Sequence, residues 1–169
     1  MKEVKIKDSA LQQAAKEGMD EFVAVFTNAI QEAIGGELSS ENMSELNNDQ
    51  ITLLGWNALH EEVMDGGFVQ LIHNGWGGFI FRNPFDKAMR AWGLPELCSI
   101  VRRGHNLYFK YREELERDCS DEEFMALFEK CPEFDDLDDA FVEHEEEFTS
   151  AVAHYIDEHI SNFATIENE

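Results

Sequence analysis

From Ser9 to Ile34 the apolar residues Leu11, Ala14, Ala15, Met19, Phe22, Phe26, Ile30 and Ile34 recur near the 3.6-residue period of an α-helix. Gly35-Gly36 follows as a stop, and Gly18 marks a bend. A second helix is predicted from Gln50 to Met64, with Ile51, Leu54, Ala58 and Val63 near one face, Asp49 as N-cap and Gly66-Gly67 as its end. Because a new apolar run starts at once with Phe68, at least one of these glycines is expected at positive φ. Phe68 to His73 reads as a short apolar turn or helix, and the glycine-rich stretch Gly75 to Gly78, leading to Pro84, as a loop. Phe85 to Trp92 makes a short helix. Pro95 opens a long one, marked by Leu97, Val101, Gly104, Tyr108, Tyr111 and Leu115. Ser120 and Glu123 form a capping box ahead of Phe124, Leu127 and Phe128, and that helix ends near Pro132. Strand-like alternation is confined to the first few residues, and residues 1–7 are expected to be flexible. The pattern predicts an all-α, single-domain, multi-helix bundle with short loops over residues 1–169.

The most regular pattern lies between Leu137 and Phe163, as one helix or two. Leu137, Phe141, Phe148, Val152, Tyr155, Ile156, Ile160 and Phe163 project within about a third of the helical circle. The opposite side carries Asp136, Asp139, Glu143, Glu146, Glu147 and Asp157, with Ser150 as a gap. One face is core and the other is an acidic stripe.

Charge changes the picture more than composition does. Residues 1–112 hold 15 acids and 11 bases, whereas residues 113–169 hold 21 acids with only Arg117 and Lys130 as bases. Such a field repels nucleic acid and anionic membranes and attracts basic protein surfaces or cations. The exception is the section from Arg82 to Arg112, where Arg82, Lys87, Arg90, Arg102, Arg103, Lys110 and Arg112 face only Asp86 and Glu96. Some of these bases are expected to pair with the acidic last third, within the fold or across a dimer. With 43% hydrophobic residues, including 13 Phe, the chain has ample material for a core. Cys98, Cys119 and Cys131 are odd in number and form no C-x-x-C pair, so they are read as reduced thiols. Neither a signal peptide nor a stretch of the roughly 20 apolar residues of a membrane span is present, and the expected compartment is the cytoplasm.

Candidate chemistry is sparse. His60-Glu61-Glu62 and His144-Glu145-Glu146 set imidazole beside carboxylate, yet there is no H-E-x-x-H, and no histidine has a Glu three residues before it. Asp135-Asp-Leu-Asp-Asp139 lacks the glycine and the alternating ligands of a calcium loop. His144 and His159 fall on the apolar face, as core or boundary residues. Gly75-Trp-Gly-Gly78 lacks both the strand before and the Lys-Ser or Lys-Thr after a phosphate loop. No cofactor, metal or catalytic residue is expected.

The stretch Gly55 to Gly75, with Glu62-Val63, Gly66-Gly67, Phe68, Gln70 and Asn74, resembles the signature of a bacterial helical domain family of otherwise unknown function that includes a DNA-mimic protein. Phe134 to Phe141 and Tyr155 to Phe163 are similar to the closing helices of that family, so the resemblance spans about residues 50–163. Met64-Asp65 departs from it, standing where Asn residues are more usual. The resemblance implies a helical fold and, for the DNA-mimic member, an acidic surface that covers the DNA-binding face of a transcription regulator. Glu62, Gly66, Gly67, Phe68, Gln70 and Asn74 are its structural signature. Together with the charge map this leads us to expect a non-enzymatic, acidic protein-binding module of the DNA-mimic kind. Its partner-binding residues would be Asp136, Asp139, Glu143, Glu146, Glu147 and Asp157. Its partners would be a basic DNA-binding protein or nuclease and a second copy of the chain, with neither direct nucleic acid nor membrane binding. The alternatives are an immunity protein against a nuclease toxin and a metal-dependent enzyme centred on His60, Glu61 and Glu62.

Overall fold

The computed structural model describes residues 2–82 and 84–168. They are almost entirely helical: α1 (Asp8–Glu17), α2 (Met19–Ile34), α3 (Asn48–His73), α4 (Gly77–Arg82), α5 (Phe85–Ala91), α6 (Pro95–Leu115), α7 (Asp121–Lys130), α8 (Phe134–Glu158) and α9 (Ile160–Phe163). The fold class is the expected all-α bundle. Two three-residue strands complete it: β1 (Lys5–Lys7) pairs in parallel with β2 (Thr165–Glu167), Ile6 opposite Ile166. The opening residues, expected to be flexible, therefore carry a strand that tucks Val4 and Ile6 into the interior. Among the described residues no helix is long and apolar enough to cross a membrane.

The chain packs as two compact units, residues 1–54 with 147–169, and residues 55–146. In the first, α1 and α2 are separate helices, because Gly18 at φ 146° breaks the run predicted as one bent helix. Phe26 and Ile30 of α2 are fully buried, with the Phe26 ring 6.3 Å from Phe163 in an edge contact. Asn47, rather than Asp49, caps α3. Its Oδ1 accepts the N–H of Gln50 at 2.9 Å while Gln50 Oε1 accepts the N–H of Asn47 at 3.0 Å, a reciprocal cap of the capping-box kind. Asp49 is released for another task, accepting from the Tyr155 hydroxyl and from Asn162 Nδ2. Gln50 Nε2 donates to the Phe163 carbonyl at 2.9 Å, which ties the start of α3 to α9.

In the second unit a turn at Asn74 and Gly75 falls within the expected loop, but Gly77 already opens helix α4, where the loop was expected to continue. Glycine there serves close packing: a Cβ on Gly77 would overlap the Tyr108 ring of α6, and one on Gly104 of α6 would overlap Phe81. The helix propensity lost at these positions, about 1 kcal/mol each, is offset by bringing two backbones together. Phe81 and Tyr108 then stack at 5.3 Å. The capping box predicted at α7 is present, with the Glu123 N–H donating to Ser120 Oγ at 3.2 Å. The three cysteines are free thiols, and burial pushes that of Cys131 up.

Candidate protein-interaction site

The signature residues converge on a break in α3. Gly67 leaves helical geometry, at φ 78° and ψ −175°, which turns the Phe68 N–H toward α8. Asp138 of α8 supplies the acceptor: its Oδ1 takes the Phe68 N–H at 2.8 Å, an N-cap contributed by a different helix. Glu62 spans the break by accepting from Gln70 Nε2 and from Asn74 Nδ2, both at 2.9 Å, and Gln70 also reaches Asp65 Oδ2 at 2.9 Å. Gly66 lies beneath the Gln70 carboxamide, and a Cβ there would come within 2.6 Å of its Cδ. The departure at Met64-Asp65 thus supplies a further acceptor to the same staple. Glu62, Gln70 and Asn74 thus bridge the break with hydrogen bonds, and Phe68 is fully buried.

Asp138 was missed from sequence because it sits among three other carboxylates, Asp135, Asp136 and Asp139, and reads as one more surface acid. Half-buried against Gly67, it has its carboxyl pushed up to about 6, first by desolvation and then by the charges of Asp135 and Asp139, with the Phe68 N–H pulling the other way.

The Phe68–Asp138 bond ties the part of α3 after the break to the first part of α8. Asp136, Asp139, Glu143, Glu146, Glu147 and Asp157 are all exposed, while Leu137, Phe141, Phe148, Val152 and Ile156 are buried, as the projection requires. At 100° per residue the six carboxylates lie within an arc of about 100°. Their density is uneven. Five fall between Asp136 and Glu147, about one per 4 Å of helix axis, close to the 3.4 Å charge repeat of a single DNA strand. Beyond them half-buried Ser150 and exposed His154 share the arc before Asp157. Asp135 is exposed as well, whereas Glu145 is drawn inward to His60 Nε2 at 2.6 Å.

That contact also bears on the enzymatic alternative. His60 is directed to Glu145, Glu62 is held by Gln70 and Asn74, and Glu61 is exposed, so the three residues do not converge on a common point. Among the described residues no group of three or more His, Cys, Asp and Glu side chains could hold a metal ion. His159 stacks on Tyr155 at 4.1 Å, and His144 Nε2 lies 3.8 Å from Glu96.

The basic middle section is partly neutralised by the acidic last third. Lys110 pairs with Glu133 at 3.0 Å and Arg112 with Glu116 at 3.4 Å. The Tyr111 hydroxyl also donates to Glu133, and with Lys110 it holds that carboxyl below the usual range.

Fold and surface together define a small helical protein that displays a line of exposed carboxylates along α8. The chain belongs to the DMP19-like protein family, whose profile matches residues 44–159. A relative is the DNA mimic protein DMP19 of Neisseria meningitidis serogroup B (strain ATCC BAA-335 / MC58), 31% identical over 131 residues that cover 77% of this chain and 79% of the relative.

Proposed function

We propose that this chain is a non-catalytic regulator whose acidic face on α8 occupies the nucleic-acid-binding surface of a basic partner protein. The observation that carries the reading is the line of five exposed carboxylates from Asp136 to Glu147 on a single helix, backed by a buried apolar face. The helix backbone beneath these carboxylates is already ordered, so binding has only their side chains left to order. A DNA-binding surface is already arranged to receive negative charge at that spacing. Encounter would be steered by the field of the acidic third and would weaken as salt screens it, since the Debye length falls from about 10 Å at 0.1 M to about 3 Å at 1 M. The name of the meningococcal relative supports the DNA-mimic reading.

The test is capture of partners from the native lysate on immobilised protein at low and at high salt. A DNA-binding protein retained only at low salt, and released by duplex DNA, is the expected result. Retention indifferent to salt would refute electrostatic mimicry.

A further inference from the structure

The bases that the acidic third leaves unpaired gather on one side of the second unit, where α5 packs on α6. Two grooves open there, and Arg102 lines both. The first is bordered by Arg82, Lys87, Arg102 and His105, with Asp86 as the single carboxylate among the described residues. Asp86 is already engaged by Arg102 Nε at 2.9 Å. Burial works to raise its carboxyl, but the guanidinium and the Lys87 N–H outweigh this and hold it low. The second groove, about 370 Å³, is lined by Arg90, Ser99, Arg102, Arg103 and Asn106 together with Pro95 and Cys98, and among the described residues by no carboxylate. Glu96, the nearest acid in the sequence, turns instead to His144. The side chains of Arg90 and Arg103 are exposed and make no hydrogen bond or ion pair with a described residue.

Three guanidiniums, a hydroxyl and a carboxamide around one groove form a donor-rich site in a protein with 36 acids and 13 bases. Guanidinium forks match phosphate oxygens in pairs. The groove falls in the size range of small-molecule sites, roughly 300–1,000 Å³. The partially positive N-terminal end of α6, a helix of 21 residues, adds to the same potential. The acidic remainder of the chain does not cancel it, because charges more than about 8 Å away are largely screened at physiological salt. That remainder does oppose a long polyanion, which would have to run past it, and so the site favours a compact anion. We propose that the groove between α5 and the N-terminal half of α6 binds a phosphate-bearing small molecule, with Arg90, Arg102 and Arg103 gripping the phosphate oxygens and Ser99 and Asn106 completing the shell.

The full-length chain, labelled with nitrogen-15, is titrated at constant ionic strength with inorganic phosphate, pyrophosphate, a nucleoside 5′-monophosphate and a short DNA duplex, and its amide shifts are followed. Saturable shifts confined to residues 86–106 are expected with the small phosphates. Stronger binding of the nucleotide than of pyrophosphate would identify a nucleotide as the source, and the reverse order a free phosphate. Arg103→Ala and Arg90→Ala should each weaken binding by about tenfold or more, and Arg103→Lys, which keeps the charge and loses the fork, by an intermediate factor. Arg117→Ala, whose exposed side chain faces Glu123 outside the groove, should leave binding unchanged. No saturation by about 10 mM of any small phosphate, a weakening by Arg117→Ala equal to that by Arg103→Ala, or tighter binding of the duplex would each overturn the proposal.

Discussion

Replacing Gly67 by alanine tests whether the break in α3 is a built feature. Two costs are expected. At φ 78° and ψ −175° the backbone lies where L side chains rarely go, and holding a residue there costs of order 1–3 kcal/mol. The new Cβ would also stand within 2.8 Å of Asp138 Cγ, so the carboxylate must withdraw and the Phe68 N–H loses its acceptor, a further cost of about 1 kcal/mol. The expected sum is about 2–4 kcal/mol. Urea unfolding followed by circular dichroism reads it as a midpoint lowered by roughly 1–2 M, for a slope of about 2 kcal/mol/M. Gly75→Ala is the control, since Gly75 has φ 95° but open space beside its Cα, so only the backbone cost applies. A loss at Gly67 no larger than the loss at Gly75 would refute the claim that Asp138 clamps the break.

Three further outcomes follow from single side chains. Asp138 has a folded-state pKa above its unfolded value, so its contribution to stability is present below pH 4 and is lost as pH rises through about 6. Asp138→Asn, whose Oδ1 still accepts the Phe68 N–H, should therefore gain stability on wild type between pH 4 and 7, as read from urea midpoints across that range; a difference independent of pH would contradict the burial of the charge. Tyr108→Phe removes a hydroxyl that donates to Glu116 at 2.9 Å, and a loss of about 1 kcal/mol is expected in the same assay, with no loss if that bond contributes nothing. Phe141→Ala empties a fully buried site ringed by Trp56, His60 and Phe68, costing about 3–5 kcal/mol; a loss under about 1 kcal/mol would mean that α8 does not anchor the second unit.

The helices were readable wherever one face is wet and the other dry. The buried positions of α8 and the exposure of all six stripe acids follow from period, because burial on one side is what the period encodes, and the capping box of α7 follows from Ser120 and Glu123 at their fixed spacing. What escaped depends on partners distant in sequence. Gly77 reads as a loop residue until Tyr108, on another helix, fills the space its side chain would have taken. Asp138 reads as one more surface acid until Phe68, 70 residues away, donates its N–H to it. Asn47 lost the cap to Asp49 in the sequence reading because either side chain can cap, and only Tyr155 and Asn162 reserve Asp49 for themselves. The small sheet was hidden for the same reason, since a three-residue strand near one end of the chain declares itself only when its partner near the other end is at hand.

The central claim is that the carboxylates of α8 stand in for nucleic-acid charge. The most direct measurement is displacement of a fluorescent DNA duplex from the captured partner, comparing the wild-type chain with a variant carrying Asp136→Asn, Asp139→Asn, Glu143→Gln and Glu146→Gln. These side chains are exposed and the changes nearly isosteric, so the helical circular dichroism should be unaltered. At roughly 0.5–1 kcal/mol for each interfacial charge, the variant should need about 30-fold to 1,000-fold more protein to displace the duplex. A variant that displaces the duplex as well as wild type does, at low salt, would contradict the account.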